Sequence, residues 1–127
     1  ENPDGRFLST DAEVEVQSGV PGLSAGTSLR LPLASRYGSY WCNKASLHRM
    51  EDDVRVLLKY ADNPNGSTGD VAAVANWEGN VVGMMALPTR AVDPALGGTD
   101  GVAVLDAFLG TCKPGFKLEG TTKESGE

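Results

Sequence analysis

The two cysteines of this chain, Cys42 and Cys112, are the feature that most restricts how it can fold. Cys42 ends an aromatic segment, Tyr40-Trp41-Cys42, and Cys112 is the only cysteine with which it can pair. A bond between them would close a loop of about 70 residues, for which the chain-entropy model gives ~4 kcal/mol of stabilisation. We therefore predict a Cys42–Cys112 disulfide. Two buried free thiols are the alternative.

The length and composition of the chain suit a single folded domain. It has 127 residues, of which 40% are hydrophobic and 22% charged, and this is enough for one core without a metal or a dense disulfide framework. We expect a flexible lead-in over residues 1–11, a folded core over 12–112 and a mobile tail over 113–127. We also expect a monomer.

The net charge of −6 makes some classes of binding partner improbable for this chain. Phosphate neutralisation drives most binding to nucleic acid, so an acidic chain is a poor candidate for it. No apolar run approaches the roughly 18 residues of a membrane-spanning helix. We therefore expect neither nucleic acid nor a membrane as a partner.

One stretch has the spacing of an amphipathic helix. Its apolar residues recur at helical intervals and predict a helix over about 46–61, with a turn signal at 63–66 to end it. The residues that form this stripe are Leu47, Met50, Val54, Leu57, Leu58 and Ala61.

The strands are predicted from alternation and from apolar runs. Residues 12–17 and 29–31 alternate apolar and polar side chains, which is typical of strands with one buried face. Residues 71–75 and 81–87 are apolar on either side of a polar turn and predict a hairpin. Residues 102–109 are interpreted as a last strand. The expected fold class is α+β, with one amphipathic helix packed on a twisted antiparallel β-sheet and one disulfide.

Few residues have the pattern of a catalytic or metal site. The single histidine, His48, lies four residues before Asp52 on the predicted helix, so a His–Asp pair is a candidate for acid–base chemistry. We favour a solvated surface histidine. Zinc needs several histidine or cysteine ligands, and with both cysteines assigned to a disulfide we expect no metal and no cofactor.

Two weak signals favour secretion. Asn65-Gly66-Ser67 is an acceptor sequence for N-glycosylation, which makes Asn65 a candidate glycosylation site. The even number of cysteines fits an oxidising compartment. The chain begins at Glu1, as expected of a mature protein that has lost a signal peptide. We therefore predict a secreted protein.

Exposed aromatic residues are the candidates for binding a partner. Trp77 and Glu78 lie in the predicted hairpin turn, and Tyr37 lies just before the cysteine segment. Aromatic side chains dominate the energetics of many interfaces. We assign partner binding to Trp77, Glu78 and Tyr37, and packing of Trp77 into the core stays an equal alternative.

The order of these features resembles a known family. Tyr40-Trp41-Cys42, the predicted helix, the hairpin segment 73–84 and Cys112 follow one another as in the small guanyl-specific fungal ribonucleases. The same features resemble the ribonuclease-like secreted effectors of plant-pathogenic fungi. The resemblance covers the chain from Tyr40 to Cys112 and implies a ribonuclease-like scaffold.

The catalytic residues of that family have no counterpart in this chain. The ribonucleases use a histidine and a glutamate as base and acid, an arginine on the phosphate and a second histidine. By our alignment, Ala72 stands in place of the arginine and Leu87 in place of the second histidine, while His48 lies outside the family's catalytic strands. The resemblance therefore implies a non-catalytic scaffold.

This combination predicts a secreted, non-enzymatic fungal effector. It would bind a host protein, with translocation into host cells and recognition by a plant immune receptor as further expectations. An active ribonuclease or other hydrolase is one alternative. A secreted carbohydrate-binding module is the other.

Overall fold

Five antiparallel strands form one curled sheet, and two short helices pack against it. The structure, a computed structural model, describes residues 1–18 and 20–111. The strands are β1 (Leu8–Val16), β2 (Ser28–Ser35), β3 (Val56–Tyr60), β4 (Val71–Ala75) and β5 (Val82–Met84), and the helices are α1 (Lys44–Asp52) and α2 (Asp100–Thr111). Short 3₁₀ turns occupy Thr68–Asp70, Pro88–Arg90 and Pro94–Leu96.

Alternating side chains build the long β1–β2 ribbon. In β1, Val14 and Val16 are buried and Glu15 between them is exposed. The ribbon is antiparallel, with Leu8 opposite Ser35 at one end and Glu15 opposite Ser28 at the other. Each strand therefore presents one apolar face to the core, as the alternation predicted.

The sheet has the order β2-β1-β3-β4-β5, and its two edges meet. Leu33 of β2 forms a bridge with Ala86, which follows β5. The backbone N–H of Leu87 donates to the carbonyl of Pro32 at 2.7 Å. The sheet therefore curls round an enclosed apolar core, in which Val14, Leu31 and Leu58 are fully buried.

The predicted helix over 46–61 is wrong beyond Asp52. The chain leaves α1 through Val54, which has a positive φ of 56°, and residues from Val56 onward form β3. β3 lies between β1 and β4 at the centre of the sheet. The sequence alone does not distinguish the two structures, because an apolar run such as 56–58 fits a helix as well as a strand. The run forms a strand here because it pairs with a neighbour on both edges and is buried on both faces.

The predicted strand over 102–109 is also wrong. This segment belongs to α2, whose residues Gly101, Val104 and Ala107 recur every three positions and are all buried. Val104 and Ala107 belong to the main core, and the fold therefore has two helices instead of one.

The expected fold class needs one more correction, at the cysteines. Cys42 is a free, half-buried thiol, and no disulfide is present among the described residues. Cys112 and the predicted tail 113–127 lie outside those residues. The description of the chain as a single domain stays a prediction.

The helices lie against different parts of the apolar interior. Met50 of α1 packs with Val56 and Val71 in a small second cluster, joined by Tyr40. α2 contributes to the main core. No helix in the described part of the chain is long and apolar enough to cross a membrane.

The close approach of α2 to the turn Pro88–Arg90 gives the first prediction. A Cβ added at Gly101 would lie 1.9 Å from the carbonyl oxygen of Pro88, whereas one added at Gly98 would meet nothing within 4 Å. We expect Gly101→Ala to lower the free energy of unfolding by about 1–3 kcal/mol. Gly98→Ala should change it by less than about 0.5 kcal/mol. Urea unfolding measures both, and equal effects would contradict the packing described for α2.

Candidate functional site

A groove lined by tyrosines and methionines is an apolar concavity on the surface of the described chain. It has a volume of about 340 Å³, within the range of ligand and side-chain pockets. We call it the aromatic groove. Its larger lining residues are Tyr37, Tyr40, Tyr60, Met84 and Met85, and its floor is formed by β4.

The segment 37–40 forms one wall of the groove and is held at Tyr40. The Tyr40 N–H donates to Ser67 Oγ at 3.1 Å, and the Tyr40 carbonyl accepts from the N–H of Thr68 at 2.8 Å. The phenol donates to the sulfur of Met50 at 3.3 Å. Tyr40 is therefore tied to α1 and to the segment before β4.

Tyr37, by contrast, is free to contact a partner. Its side chain is 67% exposed. The guanidinium carbon of Arg36 lies 5.8 Å from the centre of its ring, within the distance of a cation–π contact. The groove thus combines a fixed tyrosine with an accessible one.

A fully buried asparagine supports the groove from behind. Asn65 Nδ2 donates to the carbonyl of Gly38 at 2.9 Å and to the phenol oxygen of Tyr60 at 3.4 Å. Its Oδ1 accepts from Ser67 Oγ at 2.8 Å. Because an unpaired buried amide is costly, these bonds fix Gly38 and Tyr60 relative to each other. A glycan on Nδ2 would displace these bonds, and glycosylation of Asn65 stays a prediction.

The amino-terminal residues hold the same segment from the other side. Asn2 is buried, its Nδ2 donates to the carbonyl of Ser35 at 2.9 Å, and its Oδ1 accepts from the N–H of Gly38 at 3.3 Å. A Cβ at Gly38 would clash with Ser35 Oγ, so a larger residue there would require the Ser35 side chain to move. Residues expected to be a flexible lead-in therefore help to shape the groove.

Burial affects the chemistry of two groove tyrosines. It raises the pKa of Tyr60 above the ordinary 10.0, and the hydrogen bond from Asn65 partly opposes this. The pKa of Tyr40 is also raised, first by burial and then by the neighbouring Cys42, while Arg55 opposes the increase. Both phenols therefore stay neutral hydrogen-bonding groups at physiological pH.

A second, charged cleft of about 370 Å³ lies where the sheet edges meet. Its walls carry Arg30, Arg90, Asp11 and Asp100. Arg30 Nε is 3.3 Å from Asp11 Oδ2, and the Arg30 N–H donates to Asp100 Oδ2 at 2.8 Å. Since two arginines face two aspartates, the cleft has no dominant charge.

The structure brings one predicted binding residue into the groove. Tyr37 lines it, while Trp77 and Glu78 lie in the turn after β4 and are not among its lining residues. Trp77 is 42% exposed, and its role in binding stays a prediction. His48 is exposed on α1, and the described residues contain no group of three histidine, cysteine or acidic side chains that could hold a metal.

The sequence interpretation missed the rest of the groove. Tyr60 was placed on a helix and the two methionines on an ordinary buried strand. The signal that could have helped was the run Asn63-Pro64-Asn65-Gly66-Ser67, which has more side-chain hydrogen-bonding groups than a simple turn needs.

The buried asparagine gives the second prediction. Asn65→Ala leaves the carbonyl of Gly38 without its side-chain donor, so we expect a loss of about 1–3 kcal/mol in the free energy of unfolding. Faster amide hydrogen exchange should appear at Gly38 and Tyr40. Asn80→Ala, at an exposed turn position, is the control and should leave exchange at those amides unchanged.

The pKa of Tyr60 gives the third prediction. Below pH 10 the phenol is neutral in both folded and unfolded chains, so its contribution to stability is complete. As pH rises through the higher pKa of the folded state, the unfolded chain loses the proton more readily and stability falls. Tyr60→Phe should therefore show a smaller fall in urea midpoint between about pH 9 and about pH 11. If the urea midpoint fell equally for the wild type and for Tyr60→Phe, the raised pKa of Tyr60 would be contradicted.

Comparison with known proteins shows what the chain is similar to. No family model matches it. It is 40% identical over 112 residues to phosphoribosylformylglycinamidine synthase subunit PurQ of Synechococcus sp. (strain CC9605), covering 86% of this chain and 52% of that protein. It is 49% identical over 82 residues to PurQ of Prochlorococcus marinus (strain NATL2A), covering 65% of this chain and 38% of that protein.

A solved structure is also similar to this chain. The structure of PurLQS from Thermotoga maritima contains a chain with a TM-score of 0.74 and 32% identity, covering 89% of this chain and 51% of that one. The chain thus spans about half the length of the curated relatives and of the solved chain that it matches.

These findings overturn the functional predictions made from the sequence. The relatives are synthase subunits of Synechococcus and Prochlorococcus, so the resemblance to fungal ribonuclease-like effectors is wrong. The same relatives overturn secretion and a host-protein or immune-receptor partner. They are named as subunits of an enzyme, so the expectation of a non-enzymatic effector is wrong too.

Proposed function

We propose that this chain is part of a PurQ-type subunit of a phosphoribosylformylglycinamidine synthase, and that it works in an assembly with the other components of a PurLQS complex. The observation that carries the proposal is the agreement of sequence and structure. The sequence match covers 86% of the chain and the structural match 89%, so both include most of the described fold. A shared fold alone would not identify a function.

The aromatic groove supports an assembly role. Protein interfaces are enriched in tyrosine, tryptophan, methionine and arginine relative to the rest of the surface. Tyr37 and Met85 line the groove with 67% and 39% exposure, and Trp41, in the same loop as Tyr37, is 80% exposed. We therefore assign the groove to contact with another subunit of the assembly.

Rigid support behind the groove would favour binding. Asn65 and Asn2 both hold Gly38 in place before any partner arrives. A preformed surface loses less conformational entropy on association than a mobile one, so more of the contact energy remains as affinity. The buried asparagines thus serve binding as well as folding.

Association with the assembly tests the proposed function. The remaining components of the Thermotoga maritima PurLQS complex are mixed with this chain under conditions in which they bind PurQ, and complex formation is followed by size-exclusion chromatography with light scattering. We expect the chain to bind and to compete with PurQ, which would lower synthase activity. Failure both to bind and to compete would overturn the proposal.

The groove itself gives the fourth prediction. Tyr37→Ala should weaken association by about tenfold or more, as expected for an exposed aromatic anchor. Phe7→Ala is the matched control, because Phe7 is 64% exposed and does not line the groove. Equal affinities for the two variants in titration calorimetry would remove the groove from the interface while leaving the assembly role intact.

A further inference from the structure

The charged cleft lined by Arg30, Arg90, Asp11 and Asp100 is a separate site from the aromatic groove. It has a volume of about 370 Å³ and shares none of its lining residues with the groove. Its walls come from β1 and β2, from the turn Pro88–Arg90 and the segment after it, and from the start of α2. Because separate elements form these walls, the joined sheet edges hold the cleft in shape.

The two arginines of the cleft have uncommitted donors. Arg90 is exposed, and its side chain makes no ion pair or hydrogen bond in the described part of the chain. Arg30 contacts Asp11 Oδ2 through Nε at 3.3 Å, and its two terminal nitrogens have no partner among the same residues. A guanidinium group presents its N–H donors in a fork that matches carboxylate and phosphate oxygens. The cleft can therefore hold an oxyanion.

The two aspartates of the cleft supply hydrogen-bond acceptors. Asp11 uses Oδ2 for the contact with Arg30, and Asp100 Oδ2 accepts from the backbone N–H of Arg30 at 2.8 Å. The Oδ1 atom of each carboxylate accepts no hydrogen bond within the described residues. A carboxylate accepts well from hydroxyl groups, as an acidic residue does from a ribose hydroxyl in dinucleotide-binding proteins. The cleft can therefore bind hydroxyls beside the oxyanion.

Part of the cleft wall is apolar. Pro32, Ala91 and Leu96 line it, and the side chain of Leu96 is 77% exposed. An organic ligand in the cleft would remove apolar surface of this leucine from water, which favours binding. Gly97 and Gly98 line the cleft too, and a Cβ at either would meet nothing within 4 Å. There is thus room for a small carbon skeleton between the charged groups.

Together these groups match a ligand with one oxyanion, several hydroxyls and a short carbon skeleton. Inorganic phosphate would use the arginines alone and leave the carboxylates and the apolar wall without contacts. An amino acid would place its ammonium group against the carboxylates, but Asp11 is already paired with Arg30 and Asp100 already accepts an N–H. Neutral hydroxyls suit these two carboxylates better, because each needs only one more hydrogen-bond donor on its free oxygen.

We propose that the charged cleft binds a sugar phosphate. The phosphate lies on the guanidinium groups of Arg90 and Arg30, and the sugar hydroxyls donate to Asp11 and Asp100. The carbon skeleton lies against Leu96. This binding site is on a different surface from the aromatic groove and does not depend on the assembly role, so either proposal can fail without the other.

Titration calorimetry with ribose 5-phosphate tests the site. We expect a dissociation constant of ~1 mM or tighter for the wild-type chain. Ribose and inorganic phosphate each carry only some of the recognised groups, so each should bind at least about tenfold more weakly. Arg90→Ala should weaken the binding of ribose 5-phosphate by about tenfold, because it removes the unpaired guanidinium from the phosphate.

Arg6→Ala is the matched control, because Arg6 is an exposed arginine that does not line the cleft. It makes the same change in net charge and should leave the affinity within about twofold of wild type. Asp11→Ala is a second variant of the site. It removes a hydroxyl acceptor and releases Arg30, so it should weaken ribose 5-phosphate relative to inorganic phosphate. Circular dichroism melting shows that each variant is folded.

Amide chemical shifts in NMR spectra locate the bound ligand. Shifts at Gly97 and Gly98, which line the cleft, support the proposal, and shifts confined to Gly38 and Gly83 of the aromatic groove overturn it. It is also overturned if ribose 5-phosphate does not bind at up to about 10 mM. Equal affinity for inorganic phosphate or for alanine would overturn it too, as would equal losses in Arg6→Ala and folded Arg90→Ala.

Discussion

The meeting of the two sheet edges is the constraint on which the rest of the structure depends. The bridge between Leu33 and Ala86, together with the hydrogen bond from Leu87 to Pro32, turns an open five-stranded sheet into a curled one. An open sheet would expose the apolar faces of β1 and β2. The closure instead buries them and returns the chain to β2, where the turn Pro88–Arg90 can receive α2. Both the main core and the packing of α2 against it follow from this connection.

The aromatic groove depends on a different kind of interaction, in which buried amides take the place of apolar packing. Asn65 and Asn2 approach Gly38 from opposite sides and satisfy its carbonyl and its N–H. Fully satisfied polar networks of this kind specify one conformation more sharply than apolar contacts do, because every alternative leaves a buried group unpaired. The loop that carries Tyr37 is therefore ordered although it belongs to neither a helix nor a strand.

Part of the fold could be predicted from the sequence, and the failures have physical causes. The alternation of apolar and polar residues predicted β1 and part of β2. The apolar runs on either side of a polar turn predicted the β4–β5 hairpin. β3 was missed because Leu57 and Leu58 continue the spacing of α1, and only pairing with β1 and β4 makes them a strand. α2 was missed because most of its residues are apolar, with Asp106 as the exception, and this weakens the periodicity that identifies a helix. The functional interpretation failed because a three-residue aromatic–cysteine segment is too short to identify a family, and the acceptor sequence at Asn65 gave no sign that its amide is buried.

Pro32 has a further consequence for how the molecule behaves at high concentration. An edge strand with free N–H and C=O groups can recruit a strand from another molecule and begin aggregation. β2 lies at the edge of the sheet order, yet at Pro32 it has no N–H to offer, and its carbonyl there is occupied by Leu87. Leu33 next to it is engaged by Ala86. The same contacts that close the curl therefore make this edge a poor template for intermolecular strand pairing.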